Sequence, residues 1–231
     1  MTPALPTLLV TTAHPSLYKH GLGNIFPHPH LGRLIQPRHT SSIEQTAAAG
    51  ITWAADNDCF QGLDANAYVR MLDRIAGLDG CRFVTVPDVV GDATETLKLW
   101  QTWAPELDRR GLPKGLVAQD GLELVADTLR WSEIDALFIG GSTEWKESTA
   151  AAELAQTASA HGKWVHWGRV NTRRRFDLIV RTGAVDSWDG SKWARFRTTY
   201  LDTGLSWCLE AAQAAEALRH EFDAELEEVL S

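Results

Sequence analysis

Five short apolar runs in this chain of 231 residues each end on a group able to do chemistry. Asp56 follows Ile51 to Ala55, Asp88 follows Phe83 to Pro87, and Gln119 with Asp120 follows Gly115 to Ala118. Gly140 and Gly141 follow Ala136 to Ile139, and Asp189 ends the run that begins at Ala184. Carboxylates brought together from separate strands suit a reaction at a glycosidic carbon. One can trap the sugar covalently while another manages the proton of the leaving group. A glycine pair just before Ser142 and a new helix can offer backbone amides as a cradle.

These groups need a frame that gathers strand ends. Strand-like runs fall at about 7–12, 51–56, 82–87, 115–119, 136–139, 164–168 and 184–188. Helical patterns separate them at about 66–77, from Asp92 onward, and at about 122–131, 146–161, 172–183 and 204–229. Asp92 reads as an N-cap, with Glu95 three residues later, and Trp100 and Trp103 read as core. Residues 13–42, with prolines at 15, 27, 29 and 37, read as one long loop. Strands alternating with helices predict parallel βαβ units. The expected fold is α/β, a single (β/α)₈ TIM-like barrel over 1–231, compact or trimmed for its length. In such a barrel the active site collects at the carboxyl ends of the strands.

Bulk properties narrow the chemistry. Apolar residues make up 44% of the chain, enough for one sizeable core. Cys59, Cys81 and Cys208 are scattered and odd in number, which speaks against a disulfide framework and against a thiolate zinc site. The His28-Pro29-His30 run is a weak metal signal, and neither a metal nor a cofactor is expected. The first residues lack the pattern of a secretory leader, and no apolar run approaches the ~18 residues of a membrane span. A cytoplasmic location is expected, with no membrane partner.

Net charge is −8, yet it is unevenly spread. Residues 1–43 hold no acid, and 163–197 holds nine basic residues against three acidic ones, a local balance of +6. Arg169, Arg173, Arg174, Arg175, Lys192 and Arg195 in that stretch are candidate nucleic-acid contacts. An ordinary solvated helix surface explains Arg173 to Arg175 equally well.

The motifs, in order, are Asp56-Asn57-Asp58-Cys59-Phe60-Gln61, Val86-Pro87-Asp88, Val117-Ala118-Gln119-Asp120-Gly121, Phe138-Ile139-Gly140-Gly141-Ser142 and Asp186-Ser187-Trp188-Asp189. The series resembles the tRNA-guanine transglycosylase superfamily, nearest to its short, phage-associated DpdA branch, which inserts 7-deazaguanines into DNA. The resemblance covers about residues 50–195 and lies in motifs rather than continuous identity. It implies Asp189 as the nucleophile and Asp56 as a catalytic carboxylate near the sugar. It implies Asp88, Gln119, Gly140 and Gly141 as base-binding groups and Phe60 as the stacking aromatic. Asn57, Asp58 and Cys59 depart from the family's Asp-Ser-Gly-Gly-Phe-Gln pattern, and Asp120 departs from its Gln-Gly-Gly pattern. The zinc site and tRNA-specific elements of the tRNA enzymes have no counterpart here. The implied partners are therefore DNA, in preference to tRNA, and a 7-deazaguanine base.

Other readings stay open at this point. Asp58 and Asp120 fit structural roles, and Asp186 is the fallback nucleophile. Trp188 is a second candidate for stacking or wedging, and Trp145, Trp167 and Trp193 also fall near strand ends. His166 could be a buried hydrogen-bonded histidine or a site residue. A nucleoside or sugar hydrolase on the same barrel, or a non-catalytic nucleic-acid-binding barrel, would use much of the same sequence.

Overall fold

The computed structural model describes residues 7–11 and 30–230. Eight strands run in chain order: β1 (Thr7–Val10), β2 (Leu31–Ile35), β3 (Trp53–Ala55), β4 (Cys81–Thr85), β5 (Lys114–Ala118), β6 (Ala136–Ile139), β7 (Trp164–Trp167) and β8 (Ser187–Asp189). Each pairs in parallel with the next, and β8 closes on β1 with Leu8 opposite Trp188. The result is the expected closed (β/α)₈ barrel.

One strand departs from the sequence reading. β2 lies inside the stretch read as loop, where Arg33 interrupts the apolar run and prolines stand on both sides. Arg33 is buried, donating to Thr46 Oγ1 at 2.9 Å and to the Ser41 carbonyl at 2.5 Å. A charge so bonded can occupy a strand that its side-chain type argues against. Residues 13–29 of that predicted loop, His28 and Pro29 among them, lie outside the described residues. Among the described residues no group of three histidine, cysteine or acidic side chains is arranged to hold a metal.

Helices α1 (Ile43–Ala48), α2 (Ala65–Ile75), α3 (Ala93–Asp108), α4 (Thr143–Lys146), α5 (Thr149–Ala160), α6 (Arg173–Thr182), α7 (Ser191–Arg195) and α8 (Arg197–Leu230) accompany the strands. Their ends follow local chemistry. Asp92 accepts from the Glu95 N–H at 3.0 Å to start α3. Thr172 caps α6, and Gly183 ends it with φ 64°. The helix expected at 122–131 is instead two 3₁₀ segments, Leu122–Thr128 and Trp131–Glu133. The last helix begins earlier than the expected 204 and follows the short α7. Trp100 and Trp103 are only partly buried, packed against the core rather than within it. No described helix is long and apolar enough to cross a membrane.

Strand side chains alternate between two faces. Leu9, Leu34, Ala54, Phe83 and Ala136, with Phe138 and Trp164, form one cluster inside the barrel. Intervening residues such as Leu8, Leu116, Leu137, Val165 and Trp188 belong to the outer core with the helices.

Candidate active site

Continuing the inward face by two residues leads to the carboxyl end of the barrel. Leu9 leads to Thr11, Leu34 to Gln36, Ala54 to Asp56, Phe138 to Gly140 and Ser187 to Asp189. All five of these end residues line one cavity of about 300 Å³, together with Asn57, Asp58, Phe60, Asp88, Gln119, Gly141 and Arg169. Asp189, Asp56, Asp88, Gln119, Gly140, Gly141 and Phe60 therefore open on a single space. Its size is at the small end for ligand pockets.

Asp189 is held from the β7–α6 loop. The Arg169 N–H donates to its Oδ1 at 2.6 Å, and the Val170 N–H donates to its carbonyl at 2.6 Å. Arg169 reaches this position with φ 61°, a left-handed backbone uncommon outside glycine. Its guanidinium donates to the Gly141 carbonyl at 2.6 Å and lies 5.4 Å over the Phe60 ring. Phe60 is 68% exposed at the rim, free to meet a flat ligand. The Gln61 side chain is outside the described residues. Asp186 sits at the opposite end of β8, where its Oδ2 accepts from the Val165 N–H at 2.7 Å. That removes the fallback nucleophile from the cavity.

Asp56 accepts from Gln36 Nε2 at 3.1 Å and from Thr85 Oγ1 at 3.4 Å. Burial pushes its carboxyl up to about 7; the Gln36 donor opposes this, while the charges of Asp189, Asp88 and Asp58 add to it. Near neutral pH such a group exists in both protonation states, as a proton-transfer residue requires. Asp88 is also raised by burial, restrained by donors from Asn57 at 2.7 Å and Gln119 at 2.6 Å and by the charge of Arg169. Gln119 Oε1 accepts from the Gly91 N–H at 2.8 Å, which turns its amide nitrogen toward Asp88.

The glycine pair keeps this space open. A Cβ on Gly140 would stand 2.6 Å from Val117 Cγ1 and 2.9 Å from Gln119 Nε2. Gly141 has φ 41°. Asp120 is structural, accepting from the Ser142 N–H and hydroxyl, each at 2.6 Å. Asp58 lines the cavity, 3.5 Å from Gln36 Nε2, and its side chain makes no cap bond to the turn Cys59–Gln61 that follows it.

The basic run Arg173 to Arg175 is ion-paired. Arg173 pairs with Asp177 at 2.7 Å and Glu210 at 2.6 Å, while Arg174 and Arg175 each reach Glu147 at 2.8 Å. Glu147 and Glu210 lie outside 163–197, so the local count of +6 overstated the free charge. Lys192 stands 4.0 Å over the Tyr200 ring, one residue past the cavity-lining Ser191, and Arg195 is exposed. Trp188, with Trp145, Trp167 and Trp193, is buried in the outer core, so none of them reaches a ligand in the cavity. For Trp188 the cause is parity: on β8 it faces opposite to Ser187 and Asp189.

Two groups near the site were not assigned to it from sequence. Asn57 donates to Asp88 and to the Val86 carbonyl, and its Oδ1 accepts from the Cys59 N–H, locking the loop after β3. Lys146 is 3% exposed and donates to the Gly168 carbonyl at 3.1 Å. Burial and the neighbouring Arg169 bring its ammonium down to about 7, although Asp189 opposes this. A lysine in a short polar helix carries no sequence signal of burial.

No protein-family profile matches the chain, and no curated protein does. Solved structures give remote likenesses. An HpcH/HpaI aldolase from Desulfitobacterium hafniense is 15% identical over 87% of this chain and 90% of its own, with a TM-score of 0.48. A mandelate oxidase carrying a C4a-OH-FMN adduct is 13% identical over 80% of this chain and 65% of its own, with a TM-score of 0.47. A citrate lyase from Burkholderia xenovorans is 13% identical over 82% of this chain and 74% of its own, with a TM-score of 0.46.

Proposed function

We propose that the chain is an enzyme that exchanges guanine in DNA for a 7-deazaguanine base. The supporting observation is the convergence of Asp189, Asp56, Asp88, Gln119, Gly140, Gly141 and Phe60 on one cavity. Asp189 attacks C1′ of a deoxyguanosine. The bond from C1′ to N9 breaks, and the leaving guanine takes a proton from Asp56. The incoming base returns a proton to Asp56 as its N9 attacks C1′ and displaces the Asp189 carboxylate. Asp88 and the backbone of the glycine pair hold the base, and Phe60 stacks on it. A base inside a duplex must leave the stack to reach this depth. On this reading Lys192 and Arg195 are the cations that meet phosphate, Arg173 to Arg175 being engaged by Asp177, Glu210 and Glu147.

The test is mass spectrometry of nucleosides from DNA incubated with the protein and 7-cyano- or 7-aminomethyl-7-deazaguanine. Incorporation of the added base supports the proposal. Intact DNA with no incorporation rejects it. A second reading, hydrolysis of a free nucleoside, is favoured by the ion-paired state of Arg173 to Arg175, which leaves less charge for a polymer. It predicts free base and free sugar from nucleosides, and no incorporated deazaguanine.

A further inference from the structure

Beneath the cavity lies His166, an inward residue of β7 with no exposure to solvent. Its ring packs against Phe83 and Phe138, with centroids 5.2 and 4.5 Å away. Its Nδ1 lies 2.8 Å from Ser187 Oγ. The same oxygen accepts the Trp164 indole N–H at 2.7 Å. An indole nitrogen only donates, so Ser187 must accept from Trp164. The one acceptor among the described residues for the Ser187 hydroxyl proton is then His166 Nδ1. That assignment puts the histidine's own proton on Nε2. Among the described residues Nε2 has no hydrogen-bond partner, and it lies 3.7 Å from Asp189 Oδ1. A fully buried ring nitrogen left without a partner calls for a reason.

We propose that His166 is a positioning residue for Asp189, its Nε2–H acting as a second donor to Oδ1 beside the Arg169 N–H. The inference rests on Asp189 being the nucleophile of the exchange. With Oδ1 engaged by two donors, Oδ2, which accepts nothing among the described residues, is the oxygen that attacks C1′. The 3.7 Å separation shortens when the site is occupied; such bonds often tighten only with substrate present. Trp164, Ser187 and His166 thus form a chain through the barrel interior that aims the carboxylate from below.

Two measurements test this. Imidazole ¹⁵N shifts of the wild-type protein should show His166 as the Nε2–H tautomer, and D189N should move the Nε2 resonance. The opposite tautomer, or an Nε2 resonance unchanged in D189N, overturns the link whatever the reaction turns out to be. In exchange assays His166→Leu, apolar like its ring neighbours, should lower kcat about 10- to 100-fold, the loss expected of one hydrogen bond to a charged group. The KM for the base should stay within about twofold, since Asp88 and Gln119 are untouched. His166→Gln, which restores an N–H, should recover most of the rate. A His166→Gln variant with the wild-type melting temperature but no better than His166→Leu overturns the proposal. Wild-type protein that exchanges no base rejects the transglycosylase reading, and the ¹⁵N result then still decides the contact.

Discussion

At the amino end of the barrel, Asp186 and Asp135 each give a carboxylate oxygen to a backbone N–H on the adjoining strand, those of Val165 and Lys114, both at 2.7 Å. At the carboxyl end, Asp56, Asp88 and Asp189 face one another across a cavity and are held by Gln36, Asn57, Gln119 and the Arg169 N–H. Asp186, just before β8, and Asp189, at its end, are one residue type three positions apart. What separates them is what each is left to bind. At the amino end each carboxylate ties two neighbouring strands through one oxygen and stands apart from the cavity lining. Asp189 borders the cavity bonded through Oδ1 alone among the described residues, while Asp56 and Asp88 accept on both oxygens.

The sharpest way to break this contrast is to truncate both acids. Asp189→Ala should abolish base exchange, by more than about a thousandfold, with little change in melting temperature. Asp186→Ala should keep the exchange activity and lose about 1–3 kcal/mol of stability in denaturant titration, because the Val165 N–H loses its acceptor. Reversed outcomes would exchange the roles of the two ends.

Asp56→Asn comes next, with a loss of about 10²- to 10⁴-fold in exchange rate. It also carries a stability signature. The folded-state carboxyl titrates near 7, above its ordinary 3.8, because burial disfavours the charge. The folded state therefore binds the proton more tightly, and the wild type loses stability as pH rises from about 4 to about 7. Thermal melts should show the variant gaining on the wild type across that window, with the gain level above it. A constant difference from pH 4 to 8 would mean that Asp56 is not a strained carboxyl.

Asp88→Ala should act mainly on binding, raising the KM for the base about 10- to 100-fold with a smaller effect on kcat. An unchanged KM removes it from the base subsite. The smallest effect should come from replacing Arg173, Arg174 and Arg175 together by alanine. Their pairs with Asp177, Glu210 and Glu147 leave little charge to release counterions. The salt slope of DNA binding should fall by less than about one, the contribution of a single phosphate contact. A larger drop would make this helix part of the DNA surface after all.

From residue 51 onward the barrel was legible because each strand is a short apolar run and each helix an amphipathic one, punctuated by caps such as Asp92 and Thr172. Asp56, Asp88 and Asp189 were legible as a set because each ends a strand. β2 was hidden by Arg33, since sequence pattern alone does not reveal that a buried guanidinium has acceptors waiting. The pairing of Arg173 to Arg175 was hidden for the opposite reason: Glu147 and Glu210 lie outside the local window and meet the run only in three dimensions. Trp188 could have been judged from sequence, because a residue next to Asp189 on a strand points away from the cavity. Lys146 gave no such clue, since its burial depends on where α4 lies against the Gly168 loop.

Arg169 orients Asp189 with its backbone N–H, while its side chain reaches Gly141 and Phe60. Aim and recognition are thus carried by separable parts of one residue. Substitutions at position 169 should alter what the rim accepts while the Asp189 carboxylate keeps its bearing, provided that the new residue tolerates the left-handed backbone. Asparagine and glycine meet that condition best. The site can accordingly diversify in ligand preference without rebuilding its chemistry, and position 169 is where a change of substrate would be engineered first.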